Sequence, residues 1–353
     1  MDPRRDLLEL PRALRETLDK GGPEFDKLVR QTRWGDGPVY VIGSRTAYGG
    51  AMTAGLAIEV LVGLPAVVRA PAEFQTYALP AMRPRSILLA LEPAGDCAET
   101  LEAVHAAKSR GARVLVLASD AQGELAKLAD VLFMSHTGEA RPGSRSAEVC
   151  RHVAACLLGL SVARALKRPS DSLRDIEEEF PKLPEHVEWA FSQLSDAVRA
   201  LAAQLGVAPR VQTVGGGFYY PAAWHGAGTL RNLLGKDAQA RNGMGTEVPD
   251  NEPPERRAAL LLLSGSRCRG RKTIHALAES AKRSGTNLLA VTDKNDPEVS
   301  RRAALAILLP ILSEEVGSLL TLALLDWVVC HGGPATPGGG ERRRAEPRPH
   351  ASR

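Results

Sequence analysis

Residues 86–117 read SILLALEPAGDCAETLEAVHAAKSRGARVLVL, and this stretch decides the fold class. It opens on the Leu-rich run 86–90 and closes on the Val/Leu run 113–117. Both runs are apolar throughout rather than alternating, the pattern of a strand covered on both faces. Between them, residues 100–110 set Leu101, Val104 and Ala107 at helical spacing, and Gly111 follows as a helix stop. Strand, helix, strand in this order is a right-handed crossover between parallel strands. The stretch therefore predicts an α/β protein.

Working outward, the unit repeats. Apolar runs at 39–43, 86–90, 113–117 and 130–134 recur at 211–215, 259–263, 287–291 and 304–308, at offsets of 172, 173, 174 and 174 residues. The helical stretch 100–110 has its partner at 273–284, where Ile274, Leu277, Ala278 and Ala281 share a face before Gly285. Ser146-Ala-Glu-Val149 and Ser313-Glu-Glu-Val316 each open a long apolar helix that closes a half. Two tandem doubly wound parallel-sheet domains of Rossmann-like type follow. The divisions expected are a lead helix at 1–34, a first domain at 35–168, a helical linker at 169–209, a second domain at 210–331 and a disordered tail at 332–353. In the linker, the charge run Glu177 to Glu179 reads as a solvated helix face.

Composition narrows the function classes. A chain of 353 residues suits two domains of ordinary size, and 44% hydrophobic with 24% charged residues is a globular composition. Of the net charge of +4, the tail holds +3, with Arg342, Arg343, Arg344, Arg348 and Arg353 against Glu341 and Glu346. Such a tail is read as solvated, with contact to nucleic acid or acidic lipid as the other reading. The five cysteines form no C-x-x-C pair and no metal-ligand spacing, so no metal and no cofactor are expected and a reducing, cytoplasmic setting is. No apolar signal core opens the chain. The longest apolar run, 316–330, is interrupted by Asp326 and falls short of the roughly 18 residues that span a bilayer. No helix-turn-helix segment is present, so neither membrane nor nucleic acid is an expected partner.

Several short motifs add a family. Residues 8–18, LELPRALRETL, resemble the lead helix "E-x-P-x-A-[IL]-x-x-T-L" of the double SIS (sugar isomerase) domain family. Residues 39–48, VYVIGSRTAY, are similar to its first strand and "G-T-S" turn. Residues 58–65, IEVLVGLP, with Ala72-Glu-Phe74 resemble "F-E-x-L-x-G-I-P … S-E-F", and residues 95–101, GDCAETL, resemble "G-E-T-x-D-T-L". The same design forms the isomerase half of glutamine–fructose-6-phosphate aminotransferase. The likeness runs from Leu8 to about Cys330 and implies phosphosugar binding and a homodimer, with the helices around 150–162 and 319–330 as the apolar surfaces. No glutaminase domain is expected, hence no release of ammonia from glutamine.

Against that family pattern the sites are altered. The phosphate loop "S-x-S-G-x-T" falls on Glu92-Pro-Ala-Gly-Asp-Cys97, which lacks both serines and the threonine. Glu92 and Asp96 place negative charge where a phosphate belongs, and Pro93 removes an N–H donor. At 5 Å and an effective dielectric of about 20, two like unit charges repel by roughly 3 kcal/mol. In the "G-T-S" turn the serine position is Ala47, while Thr46 remains and Arg45 adds a cation. The family's "E-G-x-x-K-x-x-E" reads His225-Gly-Ala-Gly-Thr-Leu-Arg-Asn232, and its "G-E-x-x-H-G-P" reads Gly243-Met-Gly-Thr-Glu-Val-Pro249. No lysine follows Lys294. Relative to that resemblance the base, the ring-opening histidine and the lysine are gone.

Two replacements are in view. His225 and Glu247 are candidates for a new acid–base pair, the alternative being that His225 is a partly buried, hydrogen-bonded residue. Tyr219 and Tyr220, after the Gly215-Gly-Gly217 turn, either line a sugar-sized pocket or pack a domain interface. The second-half loop from Ser264 to Thr273 offers hydroxyls on Ser264, Ser266 and Thr273 and cations on Arg267, Arg269, Arg271 and Lys272 at the start of a helix. A cationic Ser/Gly loop at that position suits a phosphate or carboxylate, the alternative being an exposed basic loop without ligand. Arg45 and Thr46 join it as ligand-binding candidates. The function expected is a carbohydrate-derivative (phosphosugar or aminosugar phosphate) binding protein that is isomerase-like with much of its machinery lost. The alternatives are an active phosphosugar isomerase or deaminase with rearranged residues, and a non-catalytic dimeric scaffold.

Overall fold

The apolar runs become strands and the amphipathic stretches cover them. The computed structural model of the chain describes residues 3–35, 37–92, 97–137, 144–168, 171–245 and 258–332. The first half comprises α1 (Pro3–Leu8), α2 (Leu10–Leu28), β1 (Val39–Gly43), α3 (Ala47–Ala57), β2 (Ala66–Arg69), α4 (Pro71–Glu73), β3 (Ile87–Glu92), α5 (Ala98–Ser109), β4 (Arg113–Ala118), α6 (Glu124–Lys127), β5 (Val131–Met134) and α7 (Arg145–Ala165). Then come α8 (Asp171–Glu179), α9 (Leu183–Gln193) and α10 (Ser195–Val207). The second half holds β6 (Arg210–Gly215), α11 (Tyr219–Leu234), β7 (Asp237–Asn242), β8 (Ala259–Leu263), α12 (Arg271–Arg283), β9 (Leu288–Asp293), α13 (Pro297–Ser300), β10 (Leu305–Leu309) and α14 (Glu314–His331).

Two parallel five-stranded sheets result, ordered β2-β1-β3-β4-β5 and β7-β6-β8-β9-β10. The order is the same in both. Each sheet holds the four apolar runs of its half plus one edge strand that the sequence does not announce. β7 reads DAQARN and buries fully only Ala238, and β2 is four half-buried residues. An edge strand needs partners on one side only, so neither length nor an apolar run marks it.

Helices α7 and α14 lie in the core and are buried on nearly all sides. One apolar cluster takes in residues of both sheets together with α2, α3, α7, α11 and α14. Ser144 caps α7 by accepting the Ala147 N–H, and Ser313 caps α14 by accepting the Val316 N–H. Asp6 of α1 fastens the lead segment onto α7, its carboxylate accepting the Ser146 N–H at 3.1 Å. Among the described helices only α7 is long and apolar enough to cross a membrane, and its apolar stretch is entirely buried against protein. The apolar surface that a membrane would need is already used in packing. In the connecting helices Glu177 and Glu178 are exposed as expected, but Glu179 is not merely solvated. It accepts the Ser313 N–H at 2.6 Å and so ties α8 to the entry of α14.

Candidate functional site

The turn after β1, the starts of α3 and α7 and the body of α11 meet around a cavity of about 460 Å³. The turn after β1 supplies Arg45 and Thr46, α3 supplies Gly49, α7 supplies Arg145 and Glu148, and α11 supplies Trp224, His225, Gly228, Thr229, Arg231 and Asn232. This is where an open α/β sheet is expected to hold a ligand. It brings three of the sequence candidates together: Arg45 and Thr46 from one half, His225 from the other. Arg45 is exposed and held at φ +46°, a left-handed conformation rare outside glycine. Such backbone is tolerated where it aims a side chain.

His225 is buried between two carboxylates. Its Nε2 lies 2.9 Å from Asp326 Oδ2 and its Nδ1 lies 3.6 Å from Glu148 Oε2. Burial alone lowers the imidazole pKa, but Asp326 and then Glu148 outweigh it and leave the pKa raised. Asp326 is 0% exposed, so burial pushes its pKa up, yet His225, Arg145 and Thr229 hold it below the usual carboxylate value. Thr229 Oγ1 donates to Asp326 Oδ1 at 3.0 Å, and Arg145 reaches both Thr229 at 2.6 Å and Asp326 at 3.3 Å. The result is a Glu148–His225–Asp326 series that meets the cavity at Glu148 and His225, with Arg145, itself on the lining, paired to Asp326. Glu247, the proposed partner of His225, lies outside the described residues. Deeper still, Thr53 Oγ1 pairs with His152 Nδ1 at 2.8 Å, and burial keeps His152 well below the ordinary histidine pKa.

Next to Arg45 in the chain, Ser44 turns to a carboxylate at the end of β3. Glu92, the last residue of β3, accepts the Ser44 hydroxyl at 2.7 Å and the Thr100 hydroxyl at 3.3 Å. Arg151 of α7 is fully buried, its charge opposed by Glu148 and Glu92, and neither terminal guanidinium nitrogen has a hydrogen-bond partner among the described residues. Cys97 stands at the N-cap of α5. Burial raises its pKa, but hydrogen bonding with Ser44 and with the Thr100 backbone and side chain more than offsets that, leaving it lowered.

The second-half loop is a separate place, and its donors serve the chain itself. The Ser266 N–H and hydroxyl both donate to Asp293 Oδ2, at 2.6 and 2.9 Å. The Ser264 hydroxyl donates toward Thr292 and Asp296, and His275 Nε2 holds the other oxygen of Asp296 at 2.8 Å. Arg267 pairs with Asp175 and Glu179. Arg269 pairs with Glu314 at 3.0 Å and Glu315 at 2.8 Å, and the Phe218 and Arg269 N–H groups also donate to Glu314. Arg271 donates to the Ser266 carbonyl, while Lys272 and Thr273 are exposed on the first turn of α12. Tyr219 is buried at this second cleft and not in the cavity, and burial holds its hydroxyl pKa well above the usual value.

The sequence reading passed over Glu148, Arg145, Arg151, Trp224 and Asp326. Two signals were available. An aspartate in the middle of an apolar helix must have a buried partner, and Glu148 occupies the same place in Ser146-Ala-Glu-Val149 as Glu315 in Ser313-Glu-Glu-Val316.

With this geometry in hand, the comparisons with known proteins are specific. Residues 36–158 match the model of the SIS domain. The isomerizing glutamine–fructose-6-phosphate aminotransferase of Thermococcus kodakarensis is 22% identical over 335 residues, 93% of this chain and 54% of that protein. The chain spans about a third to a half of the length of the curated relatives it matches. Among solved structures, the C-terminal domain of glucosamine-fructose-6-phosphate aminotransferase from Francisella tularensis superposes with a TM-score of 0.77 at 18% identity, covering 94% of this chain and 96% of that one. Tagatose-6-phosphate ketose/aldose isomerase from Escherichia coli does so with a TM-score of 0.72 at 16% identity, covering 94% and 92%. Residues 36–158 are thus a SIS domain, in a chain homologous to the isomerase part of glutamine–fructose-6-phosphate aminotransferase and folded like the SIS phosphosugar isomerases.

Proposed function

We propose that this SIS-family, phosphosugar-isomerase-like protein binds a carbohydrate derivative in the cavity between α3, α7 and α11. The observation that carries the reading is the convergence there of Arg45 and Thr46 from one half with Trp224, His225 and Asn232 from the other. A cation, hydroxyl and amide groups and an indole face suit a polyhydroxylated ring, and about 460 Å³ is ample room for a hexose derivative. The second-half loop is not the favoured ligand site, because its arginines other than Arg271 are taken up by Asp175, Glu179, Glu314 and Glu315. The reading includes a homodimer in a reducing, cytoplasmic setting, to which the free cysteines are suited.

The test is a thermal-shift and tryptophan-fluorescence titration with fructose, glucosamine, N-acetylglucosamine and their 6-phosphates. Stabilisation by one of them, lost in Arg45→Ala and in Trp224→Ala, is the expected result. No response to any of them leaves the non-catalytic scaffold as the surviving alternative. A second reading, an active isomerase or deaminase with relocated groups, is favoured by the Glu148–His225–Asp326 series. Glu148 faces the cavity as a base and His225 backs it with a proton. Deuterium incorporation into the bound sugar from heavy water, abolished in Glu148→Gln, is the outcome that reading requires.

A further inference from the structure

We propose that His225 and Glu148 together read one hydroxyl of the bound sugar, His225 Nδ1–H donating to its oxygen and Glu148 accepting its hydrogen. Asp326 is the positioning residue that makes Nδ1 a donor. The proposal rests on the cavity being a carbohydrate site. It names the group selected there, a neutral hydroxyl as against an ammonium, an ether or a bare hydrogen at the same carbon.

Both side chains lie on the cavity lining, and each residue is only 8% exposed. Nδ1 and Glu148 Oε2 stand 3.6 Å apart, beyond the roughly 2.7–3.2 Å of an N–H···O bond. Among the described residues neither Nδ1 nor the Glu148 carboxylate has a hydrogen-bond partner. A buried donor and a buried acceptor left open side by side are costly until a group arrives that answers both. A hydroxyl does so, because one neutral oxygen accepts and donates at once. An ammonium has no lone pair for Nδ1–H, and an ether has no hydrogen for Glu148.

Nε2 is turned to Asp326 Oδ2 at 2.9 Å and keeps its own hydrogen there, so Nδ1 donates only while the ring is the imidazolium. Asp326 is off the lining and 0% exposed, and Thr229 at 3.0 Å and Arg145 at 3.3 Å hold its other oxygen. It therefore acts on a sugar only through His225. The charged and titratable groups facing the ring are Asp326 from α14 and Glu148, Arg145 and His152 from α7, the His152 ring centred 6.0 Å away. α3 adds only Gly49 to the lining, while Arg45 and Arg231 complete its charges from the turn after β1 and from α11. The two carboxylates outweigh burial and Arg145 and leave the His225 pKa raised. Burial holds His152 well below the ordinary histidine value, so that ring adds no charge at neutral pH.

The experiment has two arms on the full chain. Ring-nitrogen NMR, with the His225 signals identified by their loss in His225→Gln, is expected to show both nitrogens protonated at about pH 7 in the wild type and only one in Asp326→Asn. Calorimetry uses fructose, glucose and their 6-phosphates, each with its monodeoxy analogues. One hydroxyl is expected whose removal weakens wild-type binding at least about tenfold and Asp326→Asn binding by less than about threefold. Should Asp326→Asn fail to fold, pH carries the test on the wild type. Affinity then holds below the His225 pKa read by NMR and falls above it by up to about tenfold per pH unit, and the contribution of that hydroxyl goes with it. A singly protonated ring in the wild type overturns the proposal, as does a deoxy series with no such position or with the same loss in Asp326→Asn. A doubly protonated ring with no sugar bound sinks the carbohydrate reading of the cavity and the hydroxyl assignment with it. Sugar binding that ignores the charge of the ring sinks this proposal alone.

Discussion

Asp326 on α14 and His225 on α11 meet through Oδ2 and Nε2 at 2.9 Å, with both side chains buried. The pair joins a helix of the cavity wall to the core helix behind it. Removing one partner leaves the other charged group without water or counter-ion, which typically costs more than the pair contributes when intact. Asp326→Asn keeps the shape and loses the charge that faces His225 and Arg145. The expected loss is about 3 kcal/mol in urea unfolding, with Asp326→Leu no better despite its apolar surroundings.

The same pair sets a pH dependence. The folded pKa of His225 is raised above its ordinary 6.5, so its contribution is complete below that value and fades as pH rises through the folded pKa. The folded pKa of Asp326 is lowered from 3.8, so its contribution is present above that value and is lost as pH falls through the folded pKa. Stability is therefore expected to be greatest between about 3.8 and 6.5 as far as this pair is concerned. Melting curves of His225→Gln should lack the decline that begins above pH 6.5 in the wild type.

Arg269 bridges two carboxylates that are almost wholly buried at the first turn of α14. Glu315 is pushed up in pKa by burial, and Arg269 is what opposes that push. Arg269→Ala leaves Glu314 and Glu315 side by side. Because Arg269 itself is 44% exposed, a loss of about 2 kcal/mol is expected rather than the full figure for a buried pair. Arg269→Ala should also become more stable relative to wild type as the pH is lowered toward the carboxylate range. An unchanged difference at pH 5 and pH 8 (roughly a carboxylate and a neutral condition) would sink this account.

Gly159 of α7 lies against α3, where an added Cβ would stand 2.5 Å from the Ala57 Cβ and 3.1 Å from its carbonyl carbon. Backbone cannot yield as a flexible side chain does. Gly159→Ala should therefore cost about 1–3 kcal/mol although alanine has the better helix propensity. Since α3 and α7 both line the cavity, weaker sugar binding should accompany it. Gly206→Ala, where nothing lies within 4 Å, is the control and should be neutral or slightly stabilising.

Cysteine reactivity should separate sharply. Cys97 is partly exposed with its pKa lowered, whereas burial raises Cys150 and Cys268 to about 12 and raises Cys156 as well. Only thiolate attacks a disulfide reagent, so Cys97 should react with DTNB well before those three in the native protein. Cys97→Ser should remove that fast phase. A fast phase that survives in Cys97→Ser would show that the Ser44 and Thr100 hydrogen bonds do not activate this thiol.

How much of this was legible beforehand follows from what each residue type can signal alone. The strands at 39–43 and 86–90 and the helix at 100–110 emerge within two or three residues of where periodicity put them, because apolar period and helix stops are local properties. β7 escaped, since DAQARN pairs through its backbone with β6 and owes its place to the neighbour, not to its own side chains. Glu92 was readable as an intruding charge. That it would be bonded to Ser44 and Thr100 was not, because those residues lie 48 positions before it and 8 after it in the chain.

The sequence alone determined the class of fold, the doubled set of apolar runs and the likeness to SIS domains, since these depend on short periodic patterns and short motifs. Only the tertiary structure decided which charges meet. The loop cations Arg267 and Arg269, legible as an anion site, are answered by Asp175, Glu179, Glu314 and Glu315 from distant segments. Asp326, legible only as a break in an apolar run, becomes the buried anchor of His225. Hydrophobic patterning is additive along the chain, whereas an ion pair depends on two groups arriving within about 4 Å, which packing alone arranges.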